Sequence, residues 1–177
     1  GTIDLNKTLG ELGITDHGGL LPIEQSAKVS HLLQARSGIY HQAANSGSAL
    51  DNPKRVPERG SVKPGTKFLY NNWDFNAAGT VFEQLTGKSI FEAADEDLAK
   101  PLGFQDWDLA RHRHSGNMTR SIHPAYHIHL STRDMARIGY LMLRKGKWEE
   151  EQLIAKDWHR KMIATYTKPE EVSKRAR

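Results

Sequence analysis

The sequence predicts a mainly α protein with at most a few short strands. Apolar residues recur at spacings of three and four in several segments, as they do on the buried face of a helix. The alternation of apolar and polar residues that marks a half-buried strand is scarce. Helices are therefore expected over Ser26–Gln34, Asp74–Leu85, Ser89–Leu98, Ser131–Arg144 and Asp157–Ala164.

The first two of these helices are separated by a long polar stretch and a bend. Ser26–Gln34 turns Val29, Leu32 and Leu33 inward. A turn at Pro64-Gly65 then leads into an apolar run where we expect a short strand, Phe68–Tyr70. Three polar residues at the bend can each supply the oxygen that caps the second helix: Asn71, Asn72 and Asp74.

The later helices carry clear start signals. Ser89 is followed by Glu92 three residues on, which is a capping box. Ser131 is followed in the same way by Asp134, and Gly146 lies just past the end of that helix. The last helix is expected to bury three side chains, Trp158, Met162 and Ile163.

The composition indicates one folded domain over residues 1–177, with residues 168–177 expected to fray. Hydrophobic residues make up 37% of the chain, and the absence of cysteine excludes disulfides and thiolate chemistry. The net charge of +4 is spread over loop-like regions without interleaved aromatics, so no nucleic-acid partner is expected. No stretch approaches the roughly 20 apolar residues of a membrane span, and no signal peptide is visible at Gly1.

Tyr70 and Asn72 are the first candidates for chemistry. A tyrosine hydroxyl is a weak base unless nearby cations lower its pKa. An asparagine two residues on can hold a lysine or a substrate amide in place. The spacing by itself favours a structural tyrosine followed by a helix cap.

Several sequence stretches that occur in a fixed order favour the functional interpretation of Tyr70 and Asn72 instead. They are DLNKTL, VSHLLQARSGIYH, PGTKFLYNN, LTGKS, LAKPLGF, and LSTRDMARIGYLML followed by GKWEEEQLI. Together they resemble the serine β-lactamase and penicillin-binding-protein-like family, which includes class C β-lactamases, DD-peptidases and related esterases. The resemblance covers residues Asp4 to Trp158 and is to the helical region of that fold, so the central sheet is expected to be missing.

The resemblance implies roles for particular residues. The family's Tyr-x-Asn motif matches Tyr70, which would assist proton transfer to and from a serine, and Asn72, which would contact a lysine and the substrate. Ser37, in Arg36-Ser37-Gly38, would be structural and end a helix. The substrate-cleft candidates are Asn71, His123, Tyr126 and His127.

Two other motifs of the family are absent from these 177 residues. No lysine has a serine three residues before it, so the Ser-x-x-Lys nucleophile motif is missing, and Thr165–Lys168 is the nearest formal match. Lys-Thr-Gly is also missing. We therefore expect a truncated serine-hydrolase relative that is inactive alone, whose complete relatives would take a β-lactam, peptide or ester. The alternative is a non-catalytic helical module that binds a partner or forms a homodimer through the face that would cover the missing sheet.

The histidines give a second constellation, for which a metal site is not expected. His112, His114, His123, His127 and His129 lie close in sequence. A metal needs three or four converging ligands, and no carboxylate or cysteine is placed to complete a set. No other cofactor is expected.

Overall fold

The computed structural model describes residues 3–45, 54 and 56–172. It is 39% helix and 7% strand, which confirms the prediction of a mainly α fold. Two compact units are present: unit 1 comprises Gly1–Lys88, His114–Tyr126 and Thr167–Arg177, and unit 2 comprises Ser89–Arg113 and His127–Tyr166. The expectations of a single domain and of a missing central sheet stay predictions.

The helices come in this order: α1 Pro22–Gln25, α2 Val29–Leu33, α3 Asn72–Thr86, α4 Ile90–Ala94, α5 Lys100–Leu102, α6 Thr132–Leu143 and α7 Lys156–Met162. A π-helical stretch, Asp95–Ala99, joins α4 to α5. The strands are β1 Arg113–Ser115, β2 Ala125–His127, β3 Lys147–Trp148 and β4 Glu151–Gln152. In the described part of the chain they form two sheets of two strands each, β1 with β2 and β3 with β4.

The apolar core of unit 1 is organised around α3. Trp73, Ala77 and Val81 are spaced four residues apart and are all buried, which places them on one face of this helix. The rest of the cluster comes from the chain before α3 and consists of Leu9, Ile14, Leu20, Ala27, Val29, Leu32, Ile39 and Ala43.

The first predicted helix, Ser26–Gln34, is wrong in its extent, because only Val29–Leu33 of it is helical, as α2, and the short helix α1 before it was not predicted. Ser26 ends α1, and its hydroxyl donates to the carbonyl of Ile23 over 2.6 Å. The chain between α1 and α2 pairs with an earlier segment instead of continuing the helix. The Leu9 amide donates to the Ala27 carbonyl over 2.8 Å, and Thr8 and Lys28 form an antiparallel bridge.

The second predicted helix is confirmed as α3, which begins two residues earlier than expected. Asn71 is its N-cap, since its side chain accepts a hydrogen bond from the Asp74 amide. Gly87 ends it in the left-handed conformation at φ 68°. The strand predicted over Phe68–Tyr70 is wrong, because no strand is present there. The Leu69 amide donates to the Ala35 carbonyl, but no ladder forms around that bond.

The predicted helix Ser89–Leu98 extends further in the structure, and its middle part is π-helical. Ser89 and Glu92 form the expected capping box at the start of α4. The π-helical stretch begins at Asp95, whose carboxylate accepts from the Trp107 indole over 2.9 Å and pairs with Lys100 over 2.6 Å. The helical path then continues to Leu102 and ends at Gly103.

In unit 2, α6 confirms the predicted helix Ser131–Arg144 with one difference at its cap. The Ser131 hydroxyl accepts from the Asp134 amide over 3.1 Å, as expected. The Asp134 carboxylate does not complete a box, because it accepts from the amides of Gln105 and Asp106. The last predicted helix, Asp157–Ala164, is confirmed as α7, which ends two residues earlier. The burial predicted for Trp158, Met162 and Ile163 is wrong, because all three side chains are exposed.

The end of the chain returns to unit 1. Pro169–Glu171 forms a 3₁₀ turn, and Glu171 pairs with the buried Arg36 over 2.5 Å. The same guanidinium donates to the Thr167 hydroxyl over 3.3 Å. Within the segment expected to fray, Glu171 is thus held by Arg36, while residues 173–177 lie outside the described residues, and the expectation of fraying stays a prediction.

Among the described residues, no helix has both the length and the apolar character that crossing a membrane would require. In the same part of the chain, histidine, aspartate and glutamate side chains form no group of three or more that could hold a metal ion.

Candidate active site around Tyr70 and Asn72

The bend before α3 presents Tyr70 at the surface of unit 1. Its side chain is 52% exposed, and its ring lies 5.4 Å from that of Phe75, centroid to centroid. Asn72 is the first residue of α3 and is half-buried. The two residues of the Tyr-x-Asn motif thus lie on either side of the helix cap, and neither is fully buried.

Asn71, between them, points inward and shapes the bend. It is 1% exposed, its side-chain oxygen accepts from the Asp74 amide over 2.8 Å, and its side-chain nitrogen donates to the Leu69 carbonyl over 3.0 Å. Both ends of its amide are therefore used within the bend. In this structure Asn71 acts on the backbone around the candidate site.

Asp74 lies fully buried one turn into α3 and is bound to Ser37. The Ser37 hydroxyl donates to Asp74 Oδ1 over 2.5 Å. Burial raises the pKa of Asp74 to about 7, although hydrogen bonds from Ser37 and Asn71 act in the opposite direction. Burial and the nearby Asp74 also raise the pKa of Tyr40 to about 12, and its buried hydroxyl has no hydrogen-bond partner among the described residues.

Trp73, next to Asp74, is bound by a second buried carboxylate. Its indole nitrogen donates to Asp16 Oδ2 over 2.6 Å, and the Ser121 hydroxyl donates to the same oxygen over 2.6 Å. Asp16 Oδ1 accepts from the amides of His17 and Ile122. Burial would raise the pKa of Asp16, but these four hydrogen bonds outweigh it and lower the pKa.

His123 is an interior residue of this network. It is 1% exposed, with Nε2 2.8 Å from the Thr15 carbonyl and Nδ1 3.0 Å from the Thr80 hydroxyl. Its ring meets that of Trp73 edge-on, and burial lowers its pKa. Its contacts are those of a neutral imidazole that joins α3 to neighbouring loops.

The other two cleft candidates lie on β2. Tyr126 is half-buried, its ring packs against Gly79 of α3, and burial raises its pKa. His127 is exposed and belongs to unit 2. Of the candidates in unit 1, the structure brings Tyr70, Asn71 and Asn72 together at the bend, while His123 and Tyr126 pack against α3 farther along it.

The remaining histidines have separate contacts. In unit 2, His112 and His129 stack with centroids 6.1 Å apart. In unit 1, His114 pairs with Glu83 over 3.0 Å.

Sequence reasoning missed Asp16 and the carboxylate of Asp74 as parts of this site. The sequence pattern presents Asp74 only as a helix-cap candidate, and Asp16 lies in a loop that looks like an ordinary turn. A weak signal was present in the pair Trp73-Asp74, because a buried indole and a buried carboxylate each need a partner.

Comparison with solved structures places the chain among proteins built on the fold of β-lactamases and penicillin-binding proteins. The β-lactamase family model matches residues 2–174, and the chain belongs to that family. No curated protein matches the sequence significantly.

Solved structures show the same fold at low sequence identity. A candidate β-lactamase from Bacteroides dorei DSM 17855 matches with a TM-score of 0.63 at 17% identity, over 93% of this chain and 50% of that one. An octameric penicillin-binding protein homologue from Pyrococcus abyssi matches with 0.61 at 18% identity, over 94% and 44%. A candidate 6-aminohexanoate-dimer hydrolase from Bacillus anthracis matches with 0.63 at 18% identity, over 91% and 46%. The chain spans half the length of these relatives or less.

Proposed function

We propose that this chain supplies the Tyr-x-Asn part of a serine-hydrolase site and that the nucleophilic serine and its lysine come from residues outside this sequence. The observation that carries the proposal is the bend before α3, where Tyr70 is 52% exposed and Asn72 opens the helix. In the family that the chain belongs to, these positions serve proton transfer and substrate contact. A phenol and an amide suit those tasks, since one can exchange a proton and the other can bind a carbonyl.

The proposed substrate class is a carbonyl compound that can be acylated onto a serine, namely a β-lactam, a peptide or an ester. The names of the structural relatives point to β-lactams, to penicillin and to a 6-aminohexanoate dimer. Without Ser-x-x-Lys, these 177 residues have no covalent route, so binding without turnover is expected.

Two measurements test this proposal. Incubation with a chromogenic cephalosporin and with p-nitrophenyl acetate, followed by intact-mass spectrometry, is expected to show no adduct. Titration of the labelled chain with benzylpenicillin is expected to shift the amide signals around Tyr70 and Asn72. Tyr70→Phe should weaken that binding, while Tyr140→Phe, which removes an equally exposed phenol in α6, should leave it unchanged.

An acyl adduct on any serine would overturn the claim that the nucleophile lies elsewhere. Equal binding by wild type and Tyr70→Phe would overturn the assignment of the site. The reading frame around this sequence gives an independent check. Codons for Ser-x-x-Lys upstream and in frame would supply the nucleophile from the same gene, whereas start and stop codons at these ends would favour the second candidate function.

That second candidate is a self-associating module, and apolar exposure in unit 2 favours it. Large apolar side chains on and next to α6 and α7 face solvent, with Leu143 78% exposed and Ile163 62% exposed. Further exposed members are Met135, Tyr140, Trp158 and Met162. Exposed apolar side chains favour association when they meet a partner surface, and the penicillin-binding protein homologue from Pyrococcus abyssi is octameric.

Sedimentation velocity tests the association. A homodimer is expected, and Leu143→Glu with Ile163→Glu should convert it to monomer. Leu33→Glu, which changes an exposed leucine in unit 1, is the matched control and should leave the dimer intact. A clean monomer at high concentration for the unmodified chain would contradict this second function.

A further inference from the structure

Two consecutive residues after the bend are each bound to a distant loop through a carboxylate. Trp73 donates to Asp16, which lies 57 residues earlier in the chain. Asp74 accepts from Ser37, which lies 37 residues earlier. All four residues are buried, with exposures of 5% or less. The first turn of α3 is therefore bound to two other segments by hydrogen bonds that are additional to those within the helix.

The hydrogen bonds at Asp16 fix the orientation of its carboxylate. Both carboxylate oxygens are used, one by Trp73 and Ser121 and the other by the amides of His17 and Ile122. Two of these donors are backbone amides, so the carboxylate cannot turn without breaking them. The Trp73 indole is consequently held at a defined point, 2.6 Å from an oxygen that is itself fixed.

The attachment at Ser37 acts on the other side of the same turn. The Ser37 hydroxyl accepts from the Ile39 amide over 2.9 Å while it donates to Asp74. The Asp74 amide in turn donates to the side-chain oxygen of Asn71, the residue between Tyr70 and Asn72. A displacement at Ser37 is thus transmitted to the bend through two hydrogen bonds.

We infer that Asp16 and Ser37 are positioning residues that hold Tyr70 and Asn72 in place through Trp73 and Asp74. Neither acts on a substrate, since both are buried behind the turn. This inference rests on the proposed function, because that function makes Tyr70 and Asn72 parts of one site whose geometry must be kept. A displacement of about 1 Å at such a site is enough to matter for binding and reaction.

Variants that each remove one hydrogen bond test the inference. Trp73→Phe removes the indole donor to Asp16 and keeps an aromatic ring, and Ser37→Ala removes the hydroxyl bound to Asp74. Trp107→Phe is the matched control, because it removes the indole donor to Asp95 in unit 2 over a bond of 2.9 Å. The readouts are the Tyr70 ring and Asn72 side-chain amide signals in nuclear magnetic resonance spectra, benzylpenicillin affinity, and the thermal midpoint.

Trp73→Phe and Ser37→Ala are each expected to shift the Tyr70 and Asn72 signals and to weaken benzylpenicillin binding about tenfold, the scale of one charged hydrogen bond. Trp107→Phe is expected to lower the thermal midpoint and to leave those signals and that affinity unchanged. A purely structural role would lower the midpoint in all three variants without moving Tyr70 or Asn72, and that result would overturn the inference.

The same experiment separates this inference from the proposed function. If the unmodified chain does not bind benzylpenicillin, the proposed function fails, and the positions of the Tyr70 and Asn72 signals still decide the positioning role. If Trp73→Phe does not fold, Ser37→Ala decides it, since that change removes one oxygen atom and leaves the indole attached.

Discussion

The ring of Tyr126 lies against the backbone of Gly79 with no room for a side chain between them. A β-carbon built on Gly79 would lie 2.7 Å from Cδ1 of Tyr126, closer than such atoms approach in folded proteins. Gly79 is in the middle of α3, where glycine is otherwise a poor choice for a helix. The close contact between helix and strand is therefore the reason for a glycine at this position.

Gly79→Ala is expected to destabilise the chain by about 2 kcal/mol, because the cost of displacing the ring exceeds the better helix propensity of alanine. The free energy of unfolding in urea measures this. Gly139→Ala is the control, since a β-carbon at Gly139 of α6 meets open space. It should stabilise by about 0.5–1 kcal/mol. Equal effects of the two substitutions would contradict the packing argument.

Asp74 is expected to make stability fall as pH rises through the range between its two pKa values. Its pKa is 3.8 as an ordinary aspartate and is raised to about 7 in the fold. The folded chain therefore binds a proton that the unfolded chain has lost, and the stabilisation is complete below pH 3.8 and is lost as pH approaches 7. The loss is on the order of a few kcal/mol for a shift of this size.

Urea unfolding at several pH values between 4 and 7 measures this effect, with Asp74→Asn as the control. Histidines such as His123 titrate in the same range with the opposite sign, because burial lowers the pKa of that imidazole. The comparison with Asp74→Asn isolates the aspartate. Identical pH profiles for the two proteins would show that Asp74 does not titrate there.

Arg59→Ala is expected to destabilise the chain by about 3 kcal/mol, because it leaves the buried Glu24 carboxylate without its cation. Arg59 reaches both oxygens of Glu24, with distances of 3.0 Å and 2.8 Å. Arg160→Ala removes an exposed pair with Asp157 and should cost less than about 0.5 kcal/mol. Thermal unfolding monitored by circular dichroism distinguishes the two, and a small effect of Arg59→Ala would mean that Glu24 is solvated or protonated without it.

Ser131→Ala is expected to cost about 1 kcal/mol, since it removes the oxygen that caps the Asp134 amide at the start of α6. Thr132→Ala changes the exposed neighbouring residue and serves as the control. The free energies of unfolding of both variants give the comparison. If Ser131→Ala is as stable as Thr132→Ala, the cap contributes nothing measurable.

The features that the sequence predicted well are those specified within one segment. The starts of α4 and α6 were readable, and the cap of α3 was among three candidates, because each cap lies within three residues of the amide that it serves. The break between α1 and α2 was not readable, because it depends on pairing with Leu9 and Thr8, far from Ser26 in sequence. The absence of a strand at Phe68–Tyr70 has the same origin, since a strand needs partners that local pattern does not reveal.

The same distinction between local features and long-range contacts applies to the candidate site. Tyr70 and Asn72 were found from a local motif, and their place beside a helix cap follows from the bend. The attachments at Asp16 and Ser37 could not be found, because each joins residues that are tens of positions apart. Long-range hydrogen bonds between buried polar groups leave no periodic trace in a sequence.

The pairing of Arg36 with Glu171 imposes an order on biosynthesis. These residues are 135 positions apart, and both belong to unit 1, whereas the segment His127–Tyr166 between them belongs to unit 2. A ribosome releases Arg36 long before Glu171, so the Arg36 guanidinium cannot pair with this carboxylate until residue 171 has emerged. The contact between Arg36 and Glu171 in unit 1 can thus form only after the His127–Tyr166 segment of unit 2 has been synthesised.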